Sequence, residues 1–231
     1  MNLFSFLADP ANWGGIEGIL ARIGQHLLIT AIAVVVAAVI SIPLGVLIGH
    51  TGRGNIAVIG VSNAARAIPT LGFLVLMVLL LSTGLLPVLI PLTILALPPI
   101  LTATAAGIRD ADANAVHAAR ALGMTPWQII AKVEWPLSLA LVISGLRSAS
   151  LQVVATATVA AYVTAGGLGR FVIDGQRKGP GGYPEMFAGA FLVALLAIVL
   201  DGILGGVGWL LSRRSRPQPT TADELALAPA A

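Results

Sequence analysis

Three ionisable residues fall where a chain of this kind tolerates few. Arg66, Arg147 and Asp201 each sit about ten residues inside an apolar stretch, hence on the order of 15 Å from one of its ends along a helix. Charge in hydrocarbon is costly, and it is found paired or lining a pathway. Three charges at one depth predict an ion pair of Asp201 with Arg66 or Arg147, serving as a gate latch or pathway lining, or as a static structural pair. Other chemistry is hard to find. The chain has no cysteine, which excludes disulfides, thiolate catalysis and cysteine-ligated metal or iron–sulfur sites. His26 and His50 flank the first apolar stretch and His117 lies far along the chain, with no metal-ligand spacing among them. No Ser/His/Asp grouping is placed for nucleophilic catalysis. The run holding Gly166-Gly167-Leu168-Gly169 and Gly179-Pro180-Gly181-Gly182 lacks the lysine-bearing pattern of a phosphate loop. Neither a cofactor nor a metal is expected.

The elements that carry these residues follow from composition. The 231 residues are 57% hydrophobic and 10% charged, with a mean hydropathy of +0.95. Soluble domains carry about a quarter charged residues. Five apolar runs, roughly Gly24–Gly49, Ile56–Leu81, Leu86–Ile108, Leu137–Val163 and Met186–Leu211, each exceed the ~20 residues needed to cross a bilayer. Spanning backbone must satisfy its own hydrogen bonds, so the runs are read as helices and the fold as all-α and polytopic. Met1–Asp9 lacks the basic region of a cleaved signal, so the first run is expected to be a retained helix. The net charge of +3 is assigned to topology rather than to nucleic acid.

Basic residues orient the runs. Arg53 follows the first; Arg109, Arg120 and Lys132 separate the third and fourth; Arg213, Arg214 and Arg216 follow the fifth, whereas Ser82–Leu85 is uncharged. Positive loops lie inside, which predicts an outer N-terminus and a cytoplasmic C-terminus. The outer segment Thr164–Glu185 fits less well, since it carries Arg170, Arg177 and Lys178. Within it, Thr164–Gly182 is read as a hinge-rich outer loop bracketed by Tyr162 and Tyr183.

The hydrophilic stretch 109–136 is read as an elbow. A first short helix spans Asp112–Met124, with Gly123 at a left-handed C-terminal position. Thr125 fits as an N-cap with Pro126 at the first helical position. A second short helix, Trp127–Glu134, is expected to end before Pro136. Met124, Trp127 and Ile130 need a partner or the bundle to cover them. Pro69 is expected to break the second apolar helix, and Pro91, Pro98 and Pro99 to disturb the third. Two broken helices facing one another would suit a path that opens and closes, and ordinary kinked packing is the other reading. Gly202 and Gly206 form a G-x-x-x-G that permits close helix contact.

The stretch His117-Ala-Ala-Arg-Ala-Leu-Gly-Met-Thr-Pro-Trp-Gln-Ile-Ile-Ala-Lys-Val-Glu-Trp-Pro-Leu137 resembles the signature loop of ABC-importer permeases. That pattern runs Glu-Ala-Ala, three residues, Gly, nine residues, then Ile-x-Leu-Pro. Ala118, Ala119, Gly123 and Pro136 match in register; His117 stands in place of the glutamate, and Val133-Glu134-Trp135 in place of Ile-x-Leu. The resemblance implies a coupling helix docking on a separate ATP-binding subunit through His117, Ala118, Ala119, Gly123, Met124, Thr125 and Trp127. An imidazole at 117 would offer that subunit a hydrogen bond in place of a carboxylate. Asn63-Ala-Ala-Arg-Ala-Ile-Pro-Thr-Leu71, Ala155-Thr-Ala-Thr-Val-Ala-Ala-Tyr-Val-Thr-Ala-Gly-Gly-Leu-Gly169 and Tyr183-Pro-Glu-Met-Phe-Ala-Gly-Ala190 resemble the osmoprotectant branch. That branch takes up glycine betaine, choline or carnitine.

The resemblance implies two permease copies or related permeases, an ATP-binding subunit dimer and an external substrate-binding protein in a bacterial cell membrane. ATP hydrolysis belongs to the partner, and this chain is no enzyme. Arg66, Pro69, Arg147 and Asp201 are the gate or pathway candidates. The chain divides into an extracytoplasmic segment 1–22, a transmembrane domain 23–211 and a basic, then disordered tail 212–231. An amino-acid or methionine importer is the alternative within the superfamily. A secondary transporter would show inverted repeats and acidic ion-coupling sites; no repeat is seen, and Asp201 is the only intramembrane acid on this reading.

Overall fold

The computed structural model describes residues 4–54, 58, 60, 62, 64, 67–163 and 166–213. The elements are α1 (Ser5–Ala8), α2 (Ile19–Thr51), α3 (Thr70–Leu81), α4 (Leu86–Arg109), α5 (Ala113–Ala121), α6 (Pro126–Ile129), a π-helical turn (Ile130–Glu134), α7 (Trp135–Ala160), α8 (Gly169–Arg177) and α9 (Tyr183–Arg213). Four helical stretches, Ile19–Thr51, Leu86–Arg109, Pro126–Val163 and Gly179–Leu211, are long and apolar enough to cross a membrane. The shorter apolar α3 makes the expected fifth.

Packing centres on α4, which lies between α2 and α7; α9 closes on α7 and α8. The core repeats at the four-residue spacing of one helix face: Ile29, Ala33 and Ala37 on α2, Val88, Leu92, Ala96 and Ile100 on α4, Ala149, Val153 and Ala157 on α7. Apolar burial drives no association in lipid, so helices there join by close van der Waals fit, which small residues allow. The contacts are tight. A Cβ at Gly145 would lie 2.6 Å from Ala103 Cβ and 2.8 Å from the Pro99 carbonyl; one at Gly49 would lie 2.7 Å from the Ala105 carbonyl. Gly202 and Gly206 meet nothing within 4 Å, whereas Gly205 faces Arg147 and Gly208 faces Ile143.

Proline acts unevenly. The second apolar run does break at Pro69, which adopts extended geometry (φ −68, ψ 106) as the N-cap of α3. The third does not: α4 runs helical through Pro91, Pro98 and Pro99. Thr102 Oγ1 donates to the Pro98 carbonyl at 2.8 Å. One broken helix and one continuous helix replace the expected broken pair. The first helix runs Ile19–Thr51, so His26 and His50 lie within it rather than flanking it.

The expected outer loop Thr164–Gly182 is largely folded. Its α8 buries Gly169, Phe171, Ile173 and Gly175. Gly167, at φ +84, carries its backbone against His26. Arg170 and Arg177 both approach Asp174, at 2.8 and 3.8 Å, and Lys178 bonds Glu185, so each misplaced cation has an acid beside it. Residues of the N-terminal segment pack on this unit, Phe4 against Phe187 and Phe6 against Phe171.

Candidate functional site at the elbow and the intramembrane ion pair

Each bend of the elbow has a local cause. Asp112 caps α5, its Oδ1 accepting the Asn114 N–H at 2.7 Å and the Ala115 N–H at 3.3 Å. At the other end Gly123 takes φ +76. Its N–H donates to the Arg120 carbonyl and the Met124 N–H to the Ala119 carbonyl, at 3.0 and 3.1 Å. These two bonds form a Schellman stop. Thr125 and Gln128 then make a reciprocal capping box, with Pro126 at the first helical position. The first short helix is thus Ala113–Ala121, inside the predicted Asp112–Met124.

The second half departs from expectation. Rather than a separate helix ending before Pro136, α6 passes through the π turn into α7, and Pro136 sits in the first turn of that helix. A proline lacks the N–H for its own i−4 bond, and its ring crowds that carbonyl. The wider turn absorbs both problems, the Trp135 N–H reaching back to the Ile130 carbonyl.

The elbow sorts its side chains. Val116, Ala119 and Ile129 form a small core with Met124 and Val133 packed on it. Of the predicted docking residues, Ala119 and Met124 therefore face inward, while His117, Ala118, Gly123, Thr125 and Trp127 face out. Trp127 is 77% exposed and Leu122 82%. Leu122 was missed by the sequence reading, although an apolar residue one position before a helix-stopping glycine is the available signal. Trp127, Pro126 and Ile130 also border an apolar groove with Ile42, Pro43, Val46, Leu47 and His50.

Beneath the elbow lies a second feature the sequence reading missed. Glu134, 4% exposed, is bonded by its two oxygens to His50 Nδ1 at 2.7 and 2.9 Å. Asp201 is therefore not the only acid carried by the apolar helices. Nothing in the local pattern announces the pair.

Near the middle of α7 and α9 the predicted ion pair is present. Arg147 Nε donates to Asp201 Oδ1 at 2.9 Å and Nη2 to Oδ2 at 2.6 Å. This parallel fork is the strong geometry for guanidinium and carboxylate. The guanidinium lies along Gly205, where a Cβ would come within 3.3 Å of Cζ. Arg66, the other predicted partner, lies outside the described residues. Pro69 lies at the helix break; a cleft there is lined by Ile68, Thr70, Phe73, Pro91, Leu95 and Thr156.

At the bundle's other end His26 is 1% exposed. Its Nδ1 accepts the Leu168 N–H at 3.3 Å, and Nε2 lies 3.0 Å from the Val154 carbonyl. An acceptor at Nδ1 and a donor at Nε2 define the neutral tautomer, so this histidine ties α2 to α7 and to the start of α8. Among the described residues, no three or more His, Cys, Asp or Glu gather as metal ligands.

Residues 41–208 match the family described as binding-protein-dependent transport system inner membrane component. The carnitine transport permease protein OpuCB of Listeria monocytogenes is 35% identical over 200 residues, 86% of this chain and 90% of that protein. The glycine betaine/carnitine/choline transport system permease protein OpuCB of Bacillus subtilis is 33% identical over 186 residues, 80% of this chain and 85% of that protein. Among solved structures, the inward-facing MetNI methionine ABC transporter superposes with a TM-score of 0.72 at 25% identity, covering 84% of this chain and 95% of that one.

Proposed function

Because this chain belongs to the family of binding-protein-dependent inner-membrane transport components, we propose that it is the membrane-spanning subunit of an ATP-driven importer for compatible solutes such as glycine betaine, choline or carnitine. The observation that carries the solute class is the 35% identity, over 86% of the chain, to a carnitine permease. The chain has no machinery to spend ATP. Hydrolysis belongs to a pair of ATP-binding subunits, and delivery to a substrate-binding protein outside. A second permease, identical or related, completes the pathway. The elbow end is cytoplasmic, as is the C-terminus, and the α8 unit with residues 4–18 faces outward.

The elbow supplies the docking surface. Its outward residues His117, Leu122 and Trp127 stand on a backbone stopped by Gly123 and capped by Thr125, so the surface is rigid where the partner meets it. Trp127 and Leu122 fit an apolar groove on the ATP-binding subunit, and His117 gives a hydrogen bond at its rim. The α6–π–α7 rod carries the displacement into the bilayer, where Arg147–Asp201 holds α7 to α9.

The test is uptake of radiolabelled glycine betaine, choline and carnitine by cells carrying the whole operon. ATP-dependent uptake lost on Gly123→Asp, with the chain still in the membrane, supports both assignments. Methionine uptake in place of these solutes would move the chain to the amino-acid branch, the second reading favoured by the likeness to the methionine transporter.

A further inference from the structure

The outward faces of the long helices are not alike. On α2 and α9 they are apolar, as lipid requires, with Val39 and Ile198 each 69% exposed. One side of α7 carries Ser144, Ser148, Gln152 and Thr156, each one helical turn beyond the last and all exposed or half-exposed, with Leu141 and Val159 exposed beside them. Ser148 lies at the midpoint of Trp135–Ala160, so the row occupies about 18 Å of the bilayer's centre. Two hydroxyls elsewhere on α7 donate to their own helix, Ser138 to the Trp135 carbonyl and Thr158 to the Val154 carbonyl. The four in the row have no side-chain hydrogen bond among the described residues, and polar groups left open in hydrocarbon cost several kcal/mol.

A second observation converges on the same place. Thr156 borders a small, mainly apolar cleft with Thr70, the first residue of α3, where the helix interrupted at Pro69 restarts without a side-chain cap. The first N–H groups of a helix have no internal partner. Uncapped backbone at this depth is tolerated where it lines protein or a water-filled cavity.

From these juxtapositions we infer that Ser148, Gln152 and Thr156 of α7, together with the start of α3 at Thr70, line a water-filled solute path and favour a net-neutral zwitterion. The proposal rests on the reading of the chain as a permease. The lining offers neutral donors and acceptors. The one charge bordering the row among the described residues, Arg147 beside Ser144, is neutralised by Asp201. Such a surface hydrates a solute that carries its own counter-charge, and it leaves a bare cation without one.

The chain has no cysteine, so single thiols report cleanly. Ser148→Cys and Gln152→Cys are compared with Val39→Cys and Ile198→Cys in the assembled transporter, in permeabilised membranes, using a charged methanethiosulfonate reagent that reacts in water. The row is expected to react at least on the order of tenfold faster than the two controls, because only a hydrated thiol ionises. Rates equal to the controls would overturn the path. Gln152→Glu then tests the ligand class. It is expected to raise choline uptake relative to glycine betaine on the order of tenfold; an unchanged ratio would overturn the preference. If neither solute is carried, the solute assignment falls, while the labelling contrast still decides the path.

Discussion

The imidazole of His50 lies 2.7 Å from Glu134 Oε2, joining the end of α2 to the turn that launches α7 across a sequence separation of 84 residues. The carboxylate is almost wholly buried and has the imidazole beside it. Removing one partner leaves the other's polar atoms without compensation, a cost of about 1–3 kcal/mol. His50→Ala is therefore expected to lower the detergent-solubilised melting temperature. Glu134→Gln, which keeps a hydrogen bond, should lower it less. Thermal unfolding of the purified complex checks the order, and equal losses would remove the pairing argument.

Arg147 and Asp201 make a sharper case, since both lie within membrane-spanning helices and the fork is bidentate. Asp201→Ala leaves the Arg147 guanidinium within a membrane-spanning helix without its counter-charge. The expected outcome is sharply reduced membrane-inserted protein. Arg147→Ala should do likewise, and the exchange Arg147→Asp with Asp201→Arg should restore part of the level. Immunoblots of washed membranes read this, and uptake by the restored protein shows whether the pair also gates.

Gly123 tests the elbow without adding charge. At φ +76 a β-branched residue is strained, whereas asparagine tolerates the left-handed region. Gly123→Val is expected to reduce solute-stimulated ATPase activity of the reconstituted complex strongly, and Gly123→Asn only modestly. Similar losses for both would point to a contact at this position rather than to a turn.

Trp127 separates docking from folding. At 77% exposure its indole contributes little to the isolated chain, so Trp127→Ala should leave expression and melting within roughly 0.5 kcal/mol of the parent. Co-purification with the ATP-binding subunit should weaken at least tenfold, the loss expected of an aromatic anchor in an interface. Undiminished co-purification would put the docking surface elsewhere on the elbow.

The sequence made the bundle legible because hydrocarbon imposes a coarse rule, and runs of twenty apolar residues announce helices. Gly123, Thr125 and Pro126 were legible for a different reason, since capping is local and each residue type has one suitable place. Arg147–Asp201 could be anticipated from depth alone, because a charge in lipid needs a partner at its own level. His50–Glu134 could not. Both residues sit at the ends of apolar runs, where charge needs no explanation, and only tertiary packing brings them together. The Pro136 junction misled for a physical reason as well: proline's disfavour for a preceding helical residue is real, but one π turn makes room for it. Pro91, Pro98 and Pro99 are carried within a continuous α4 that has no such turn. The Gly-rich segment around α8 read as a loop because its glycines mark close backbone contacts as well as turns.

The unbroken run from Pro126 to Val163, 38 residues long, has a consequence for phase. A helix rotates about 100° per residue, so the bearing of Gln152 relative to Trp127 is set by the count of residues between them. The π turn, with its extra residue in one loop, is part of that count. Elbow and membrane row therefore behave as two marks on one shaft. Deleting a single residue between Glu134 and Arg147 would leave each mark intact and turn one away from the other, so that every local feature survived while the machine fell out of time.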